Sequence, residues 1–247
     1  YGIIEPFLLE HSIKMGRDAL FNLLRSQGLL IRRRKSKKMT TTDPSHPYRK
    51  HPCLIDGFIP SMPNQLWVAD ITYWRVSYRK FLYISLITDA YSHKVVGYHV
   101  AETMEAVETA KALLMALGQI HSSDGLGNLI HHSDRGVQYC SQAYVDILEE
   151  NKIGISMYQK GSTSDNNIAE RMNGILKQEY LAFRKVNSLA EAQEALKDSI
   201  ELYNGQRPHD SIGRNTPSEV HQGALKTVKL WKDYAKKKKN NDKLFQD

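Results

Sequence analysis

Three strand candidates follow one another closely between residues 66 and 100, and this succession constrains the fold more than any other feature of the chain. Each candidate is a run rich in β-branched and aromatic residues, which favour extended strands. The three runs cover Leu66–Trp74, Phe81–Thr88 and Lys94–Val100, and only short polar breaks separate them. Because connections this short join neighbouring strands, an antiparallel meander is the simplest arrangement.

Downstream of the meander, helix and strand patterns alternate, and helices then dominate. Apolar residues recur at helical spacing over Glu102–Leu117, and Ser141 is placed to cap a helix that runs to Glu150. Short strands are predicted at Leu129–His132 and Ile153–Met157, and later helices at Asn166–Ala182 and Leu189–Asn204. This order predicts an α/β fold in which helices flank a mixed sheet.

The 247 residues are enough for one large domain with a small appendage. We predict a basic helical N-terminal segment over 1–38, a linker rich in Thr, Ser and Pro over 39–63, a catalytic core over 64–220 and a basic tail over 221–247. No run approaches the roughly 20 apolar residues of a membrane span, and the N-terminal residues do not resemble a secretory signal. We therefore expect a cytoplasmic protein with no membrane partner.

The net charge of +7 is divided between basic ends and an acidic centre. Residues 1–64 carry +6 and residues 221–247 carry +5, whereas residues 65–220 carry −4. Basic ends attract phosphate backbones, and an acidic centre suits metal ligands. Arg32, Arg33 and Arg34 are therefore predicted DNA contacts, although runs of like charge are also typical of solvated tails.

Two aspartates occupy positions that are unusual for a carboxylate without a function: one lies inside an apolar strand and the other directly follows a strand. Asp70 interrupts the apolar run of the first strand, where a buried and unpaired carboxylate would cost several kcal/mol. Either a cation or a Lys or Arg partner would offset that cost. Asp134 follows a strand and precedes a turn with Gly136, a place where sheet proteins carry working side chains. A purely structural turn aspartate is the alternative.

The third carboxylate, Glu170, lies on the helix predicted from Asn166. One face of that helix is apolar, and the roughly opposite face carries Asn166, Glu170, Asn173 and Lys177. Glu170 and Lys177 are two turns apart on the same side, which suits a duplex that is cut at the carboxylate and gripped at the ammonium. The alternative is a solvated helix face. Three converging carboxylates could hold two divalent cations, which cut and join phosphodiesters.

The motifs around these carboxylates resemble the integrase catalytic core that retroviral integrases share with bacterial insertion-sequence transposases, the DDE superfamily. The similarity is greatest to the insertion-sequence-three family. Asp134 and Glu170 are separated by 35 residues, and Lys177 follows Glu170 by seven. The matching segments are Trp67–Tyr73, His132–Tyr139, Asp165–Glu170, Tyr203–His209 and Thr216–Pro217.

The resemblance implies a ribonuclease-H-like fold with a five-stranded sheet, in which Asp70, Asp134 and Glu170 are the catalytic residues and metal ligands. It also implies two divalent cations, Mg²⁺ or Mn²⁺. The implied enzyme is a DDE transposase that nicks terminal inverted repeats and joins the freed 3′ hydroxyl to target DNA. A homo-oligomer on DNA is expected, because two element ends must be processed together.

The resemblance also suggests where DNA would lie. Besides the three arginines of the basic run, the predicted DNA contacts are Lys177, Arg135, Asn166 and Asn173. No zinc is carried over, since the chain has only Cys53 and Cys140 and no His-His-Cys-Cys domain. Two alternatives keep the same fold: a catalytically inactive DNA-binding or regulatory relic, and a nuclease that never joins strands.

Overall fold

The structure is a computed structural model, and it describes residues 4–30, 45–77, 80–120, 127–158 and 167–223. Within these ranges one five-stranded sheet has the order β3-β2-β1-β4-β5. Its strands are β1 Leu66–Arg75, β2 Phe81–Asp89, β3 Val95–Ala101, β4 Ile130–Ser133 and β5 Gly154–Met157. β1, β2 and β3 form the predicted antiparallel meander, whereas β4 runs parallel to β1 and β5 parallel to β4. The predicted mixed sheet is confirmed.

The helices cover both faces of this sheet. They are α1 Glu5–Glu10, α2 Arg17–Ser26, α3 Ala106–Leu117, α4 Val137–Cys140, α5 Gln142–Glu150, α6 Asn167–Ile175, α7 Leu189–Gln206 and α8 Pro217–His221. A single π-helical turn, Leu176–Tyr180, continues α6, and a short 3₁₀ turn covers Asp210–Ile212. Ser141 is the N-cap residue of α5 as predicted, but its hydroxyl donates to the carbonyl of Gln138 instead of capping the helix.

Helix α3 begins four residues later than the prediction from Glu102. Ala101 still pairs with Tyr83 in the sheet, and Glu105 keeps an extended backbone. The chain therefore has to leave the sheet before it can turn into a helix. Periodicity alone cannot detect this delay, because the residues before Ala106 fit a helical pattern equally well.

The side chains of β1 alternate between two cores, and this alternation decides where Asp70 points. Trp67, Ala69 and Ile71 pack in the core beneath α3 and α5. On the opposite face Val68 packs with Ala169 of α6, and Trp74 packs in a separate cluster with other residues of α6 and α7. Because successive strand side chains face opposite sides, Asp70 lies on the face that α6 covers.

Residues 45–63 contain neither helix nor strand, yet they are docked on the core. The amide of Met157 donates to the carbonyl of Pro52 at 3.1 Å, and the amide of Leu54 donates to the hydroxyl of Ser156 at 2.8 Å. These contacts cover the outer edge of β5, which would otherwise expose unpaired backbone groups. The segment predicted as a linker is thus held against the sheet over its described part.

The N-terminal segment is described over residues 4–30, which contain α1 and α2, whereas its run of arginines and most of the basic tail lie outside the described residues. Arg32, Arg33 and Arg34 fall in the undescribed range 31–44, and the predicted tail falls almost entirely in the range 224–247. Among the helices that are described, none has the length and apolar character to cross a membrane.

Gly97 in β3 allows α3 to approach the sheet closely. A Cβ atom at this position would overlap the backbone oxygen of Ala112 and would lie 2.9 Å from the Cβ of Ala116. We expect Gly97→Ala to lower the free energy of unfolding by about 3 kcal/mol, because α3 has to move away from the sheet. Denaturant unfolding measures this change. Gly174→Ala is the matched control, since a Cβ there meets nothing within 4 Å; equal stability of Gly97→Ala and the unsubstituted chain would contradict the expectation.

Candidate active site

Asp70 is held in a fixed orientation near the middle of β1. Its Oδ1 accepts a hydrogen bond from the amide of Ile71 at 2.9 Å, and its Oδ2 accepts one from Nδ2 of Asn173 at 2.6 Å. Asn173 belongs to α6, so the second bond links the strand directly to that helix. Two donors leave the remaining lone pairs of the carboxylate available to other ligands.

Asp134 reaches the same place from the neighbouring strand. β4 lies parallel beside β1 with His132 opposite Val68, and continuing this register brings Asp134 beside Asp70. The Oδ1 of Asp134 accepts a hydrogen bond from the amide of Gly136 at 2.9 Å. A Cβ on Gly136 would lie 2.9 Å from that same oxygen, so a larger residue there would displace the Asp134 carboxylate.

Glu170 comes from a third element, the first turn of α6, and its side chain is exposed. It precedes Asn173 by three residues, so the two side chains share a helix face. The bond between Asn173 and Asp70 therefore turns the Glu170 face of α6 towards Asp70.

The electrostatics agree with this convergence. The pKa of Asp70 is raised to about 7, chiefly by burial and next by the negative charge of Asp134, with a smaller contribution from Glu170; the hydrogen bonds from Ile71 and Asn173 act in the opposite direction. All three carboxylates thus lie within electrostatic range of one another.

This group of carboxylates has the chemistry of a divalent cation site. Hard cations such as Mg²⁺ bind carboxylate oxygens, and a cation would offset the negative charge that raises the pKa of Asp70. In the described part of the chain, however, no three His, Cys, Asp or Glu side chains are close enough together to coordinate one metal ion. Like charges repel, and this repulsion opposes closer approach of the three carboxylates. Their chemistry fits a cation, but they are not close enough together to coordinate one at the same time.

The polar face of α6 packs against β1. Asn173 was predicted to contact DNA, but its side chain is buried and donates to Asp70. Asn173 therefore orients the carboxylate of Asp70, and contact with DNA stays a prediction for this residue. An isolated helix pattern could not reveal this, because it shows only which residues share a face and not what covers that face.

Lys177 is also drawn towards β1. Its Nζ donates to the hydroxyl of Thr72 at 3.0 Å and lies 4.3 Å from the centre of the Tyr73 ring. Partial burial lowers the pKa of Lys177, although the nearby charge of Asp70 acts in the opposite direction. The ammonium is therefore placed beside the carboxylates, and contact with DNA stays a prediction for this residue.

The turn after β4 is braced by buried side chains. His132 is fully buried, and its Nδ1 forms a hydrogen bond with the hydroxyl of Ser156 at 2.9 Å. Tyr139 is buried as well, and in the described ranges its hydroxyl has no hydrogen-bond partner. Both residues thus support the Asp134 turn from inside the protein.

The remaining predicted DNA contacts have different outcomes. Arg135 is partly buried, and its carbonyl accepts a hydrogen bond from Nε2 of His46 at 2.9 Å, which ties the segment before β1 to the Asp134 turn. Asn166 lies outside the described residues, as do the three arginines of the basic run. All of these assignments stay predictions.

Comparison with known proteins identifies the family. An integrase core domain model matches residues 60–163, and a second integrase core domain model matches residues 151–217. The insertion element IS600 uncharacterized 31 kDa protein of Shigella sonnei is 39% identical over 221 residues, which cover 89% of this chain and 79% of that protein. The transposase for insertion sequence element IS629, also from Shigella sonnei, is 31% identical over 230 residues, covering 92% of this chain and 76% of that protein.

Solved structures agree on the fold. The HTLV-2 integrase catalytic core domain in complex with magnesium aligns with a TM-score of 0.50 at 20% identity, covering 65% of this chain and 97% of that one. The sheet order and the flanking helices are those of the ribonuclease-H-like fold, as predicted. The chain belongs to the insertion-sequence-three family of transposases, which are DDE-type polynucleotidyl transferases with an integrase core domain.

Proposed function

We propose that this transposase nicks DNA at the ends of its element and joins the freed 3′ hydroxyl to target DNA. In this proposal Asp70, Asp134 and Glu170 hold two divalent cations, Mg²⁺ or Mn²⁺. The observation that carries it is the hydrogen bond from Asn173 to Asp70, since it directs the Glu170 face of α6 towards the two aspartates. The magnesium named for the HTLV-2 integrase core supports the choice of cation.

Each carboxylate is prepared for this role by its own surroundings. When bound, paired cations activate the attacking oxygen and stabilise the leaving oxygen of a phosphodiester. Asp70 is oriented by its two hydrogen bonds, and Asp134 is oriented by the amide of Gly136. Glu170 is exposed, so its side chain is free to close the donor set when substrate arrives. No residue of the chain has to form a covalent bond to DNA in this scheme.

The proposed substrates are the terminal inverted repeats of the element and a target duplex. Residues 64–220 would form the catalytic core, and the basic residues before and after it would contact the DNA backbone. Two copies or more would act together, because both ends of an element must be processed. Since the matched relatives come from bacterial insertion elements, we place this activity on the bacterial chromosome.

A strand-transfer assay tests the proposal. The purified chain is incubated with duplexes that carry the inverted repeats flanking its own gene, in Mg²⁺, in Mn²⁺ and in EDTA. We expect nicked and joined products with either cation and none with EDTA. Nicking without joined product would support the nuclease instead, and DNA binding without nicking would support the regulatory relic.

Lys177→Ala should weaken binding of the duplex more than it weakens the fold. Removing one ammonium near the carboxylates is expected to raise Kd by about 10-fold and to reduce the salt dependence of binding by roughly one phosphate contact. Fluorescence anisotropy at several salt concentrations measures both quantities. Lys197→Ala on α7 is the control, because its ammonium is exposed and pairs only weakly with Glu201, at 3.9 Å. An unchanged salt dependence for Lys177→Ala would remove this residue from the DNA interface.

A further inference from the structure

The segment Tyr203–His209 has no part in the proposed chemistry, yet its side chains form specific contacts with both the sheet and the π-helical turn that follows α6. Arg207 forms a two-pronged ion pair with Glu179: Nε donates to Oε2 at 2.7 Å, and Nη2 donates to Oε1 at 2.8 Å. The Arg207 side chain is only 15% exposed. Because a planar guanidinium fits a carboxylate in one geometry, such a pair fixes orientation as well as distance.

The same segment is attached to the sheet at its other end. The hydroxyl of Tyr203 donates to the carbonyl of His93 at 2.9 Å. The side chain of Asn204 pairs with both backbone groups of Val95: its Nδ2 donates to the carbonyl at 3.0 Å, and its Oδ1 accepts from the amide at 2.9 Å. The end of α7 is therefore pinned to the turn before β3 and to the first residue of that strand.

Rings fill the space between these two attachments. The His209 ring stacks on His93, with centroids 5.7 Å apart, and lies edge-on to Tyr203 at 5.1 Å. Side chains of α6, among them Arg171 and Met172, line the same small niche as Tyr203 and His209. The segment therefore packs in one cluster with α6, close to the residues that follow Glu170 in sequence.

The partner of Arg207 sits in an unusual stretch of helix. Glu179 belongs to the π-helical turn that continues α6, and the same turn contains Lys177. A π turn has one residue more than an α turn and is rare, and such turns are frequent at functional sites. The ion pair with Arg207 ties this turn to the C-terminal end of α7.

We propose that the segment Tyr203–His209 is a brace that positions Glu170, with Arg207 and Glu179 as positioning residues. The brace joins the sheet that carries Asp70 to the helix that carries Glu170, and so sets the distance between the two carboxylates. The brace rests on the proposed function, because the distance between Asp70 and Glu170 matters only if both carboxylates hold the cations. Displacing a metal ligand by about 1 Å costs roughly 100-fold in rate, so a small movement of α6 matters.

Arg207→Lys and Glu179→Gln test the brace, because each keeps the size of the side chain and removes the two-pronged pair. We expect both to weaken Mn²⁺ binding, measured by calorimetry, by about 10-fold and to lower the rate of strand transfer by about 100-fold. Duplex binding and the unfolding temperature should stay close to those of the unsubstituted chain. Arg214→Lys is the matched control, since the side chains of its ion pair with Asp210 are both exposed and belong neither to α6 nor to the segment Tyr203–His209.

Three outcomes would overturn the brace. In the first, Arg207→Lys and Glu179→Gln bind Mn²⁺ and transfer strands as well as the control does. In the second, both activities fall only in proportion to a fall in the unfolding temperature. If a single variant does not fold, the exchanged pair Glu179→Arg with Arg207→Glu is measured instead. Recovery of Mn²⁺ binding by the exchanged pair supports the brace, and a folded exchanged pair without recovery is the third contrary outcome.

The design separates the brace from the proposed function. If the unsubstituted chain joins DNA and Glu170→Gln does not, the proposed function stands whatever Arg207→Lys does. If Glu170→Gln still joins DNA, Glu170 is not part of the active site and the brace fails, while the joining activity stands. If the unsubstituted chain forms no joined product, the proposed function fails. As a second check, Arg207→Lys should cost little further activity in a Glu170→Asp chain, because both changes displace the same carboxylate.

Discussion

Glu170→Gln is expected to abolish cation-dependent nicking and joining, with a loss of at least about 1,000-fold, while duplex binding stays within about twofold. The amide keeps the shape of the side chain but removes the charge that a hard cation requires. A metal ion supplies several kcal/mol of stabilisation to the transition state, and each 1.4 kcal/mol is a factor of ten in rate. Strand-transfer gels in Mg²⁺ measure the loss, and anisotropy measures binding.

The control for this substitution is Glu194→Gln, which removes an exposed carboxylate from α7, away from the aspartates. It should keep full activity. Strand transfer by Glu170→Gln at a rate comparable to that of the control would remove Glu170 from the active site. A parallel loss of duplex binding would instead point to a role in holding DNA.

Asp70→Asn should have opposite effects on activity and on stability. Activity should be lost, because the carboxylate at the centre of the site is gone. In EDTA the free energy of unfolding at pH 8 should rise by about 2 kcal/mol, since the pKa of Asp70 is raised to about 7 in the folded protein. This is about half of the free energy equivalent to the full pKa shift, because Asp70 is partly exposed and solvent screens its charge. Charged active-site residues commonly lower stability in this way.

The sign of the pH dependence follows from the direction of that shift. The folded pKa of Asp70 lies above its unfolded value, so the stability it contributes is complete at acid pH and is lost as the pH rises through about 7. Asparagine has no such dependence, and the advantage of Asp70→Asn should therefore be larger at pH 8 than at pH 5. The new amide can be accommodated, because the Oδ1 of Asn173 has no hydrogen-bond partner in the described ranges and can accept from it.

Denaturant unfolding in EDTA at the two pH values measures this difference. Asp56→Asn is the control, since Asp56 is exposed in the segment before β1 and its substitution should change stability little at either pH. Equal stability of Asp70→Asn and the unsubstituted chain at pH 8 would show that burial and the neighbouring carboxylates do not disfavour the charged form of Asp70 as the structure indicates.

Much of the sheet could be predicted from the sequence because local patterns determine it. The three runs of the meander have strand composition and short breaks, so their order and pairing follow from chain connectivity. The position of Asp70 within such a run also marked it as a buried charge that needs a partner. These are short-range signals, and the structure confirms the strands within one or two residues.

The contacts that shape the site could not be predicted, because they join distant parts of the chain. Asn173 and Asp70 are 103 residues apart, and the pair of Arg207 and Glu179 spans 28. A helical pattern identified the polar face of α6, but it could not show that β1 covers part of that face. One local clue was present: Asn173 follows Glu170 by three residues and so had to share its surroundings.

The segment 45–63 illustrates a different limit. Its composition is typical of a linker, yet its backbone groups pair with β5 and its His46 contacts the Asp134 turn. Backbone hydrogen bonds of this kind leave no trace in side-chain periodicity. A sequence pattern therefore indicates where regular structure ends, but not whether the irregular chain that follows is docked.

Anomalous diffraction from crystals grown with Mn²⁺ tests the central claim most directly, because it locates the cations without relying on activity. We predict a manganese peak in contact with carboxylate oxygens of Asp70 and Asp134, with Glu170 facing it, and the loss of that peak in Asp70→Asn. A peak held by other residues, or none beside Asp70 and Asp134 at millimolar Mn²⁺ in an unchanged fold, would contradict the proposed cation site.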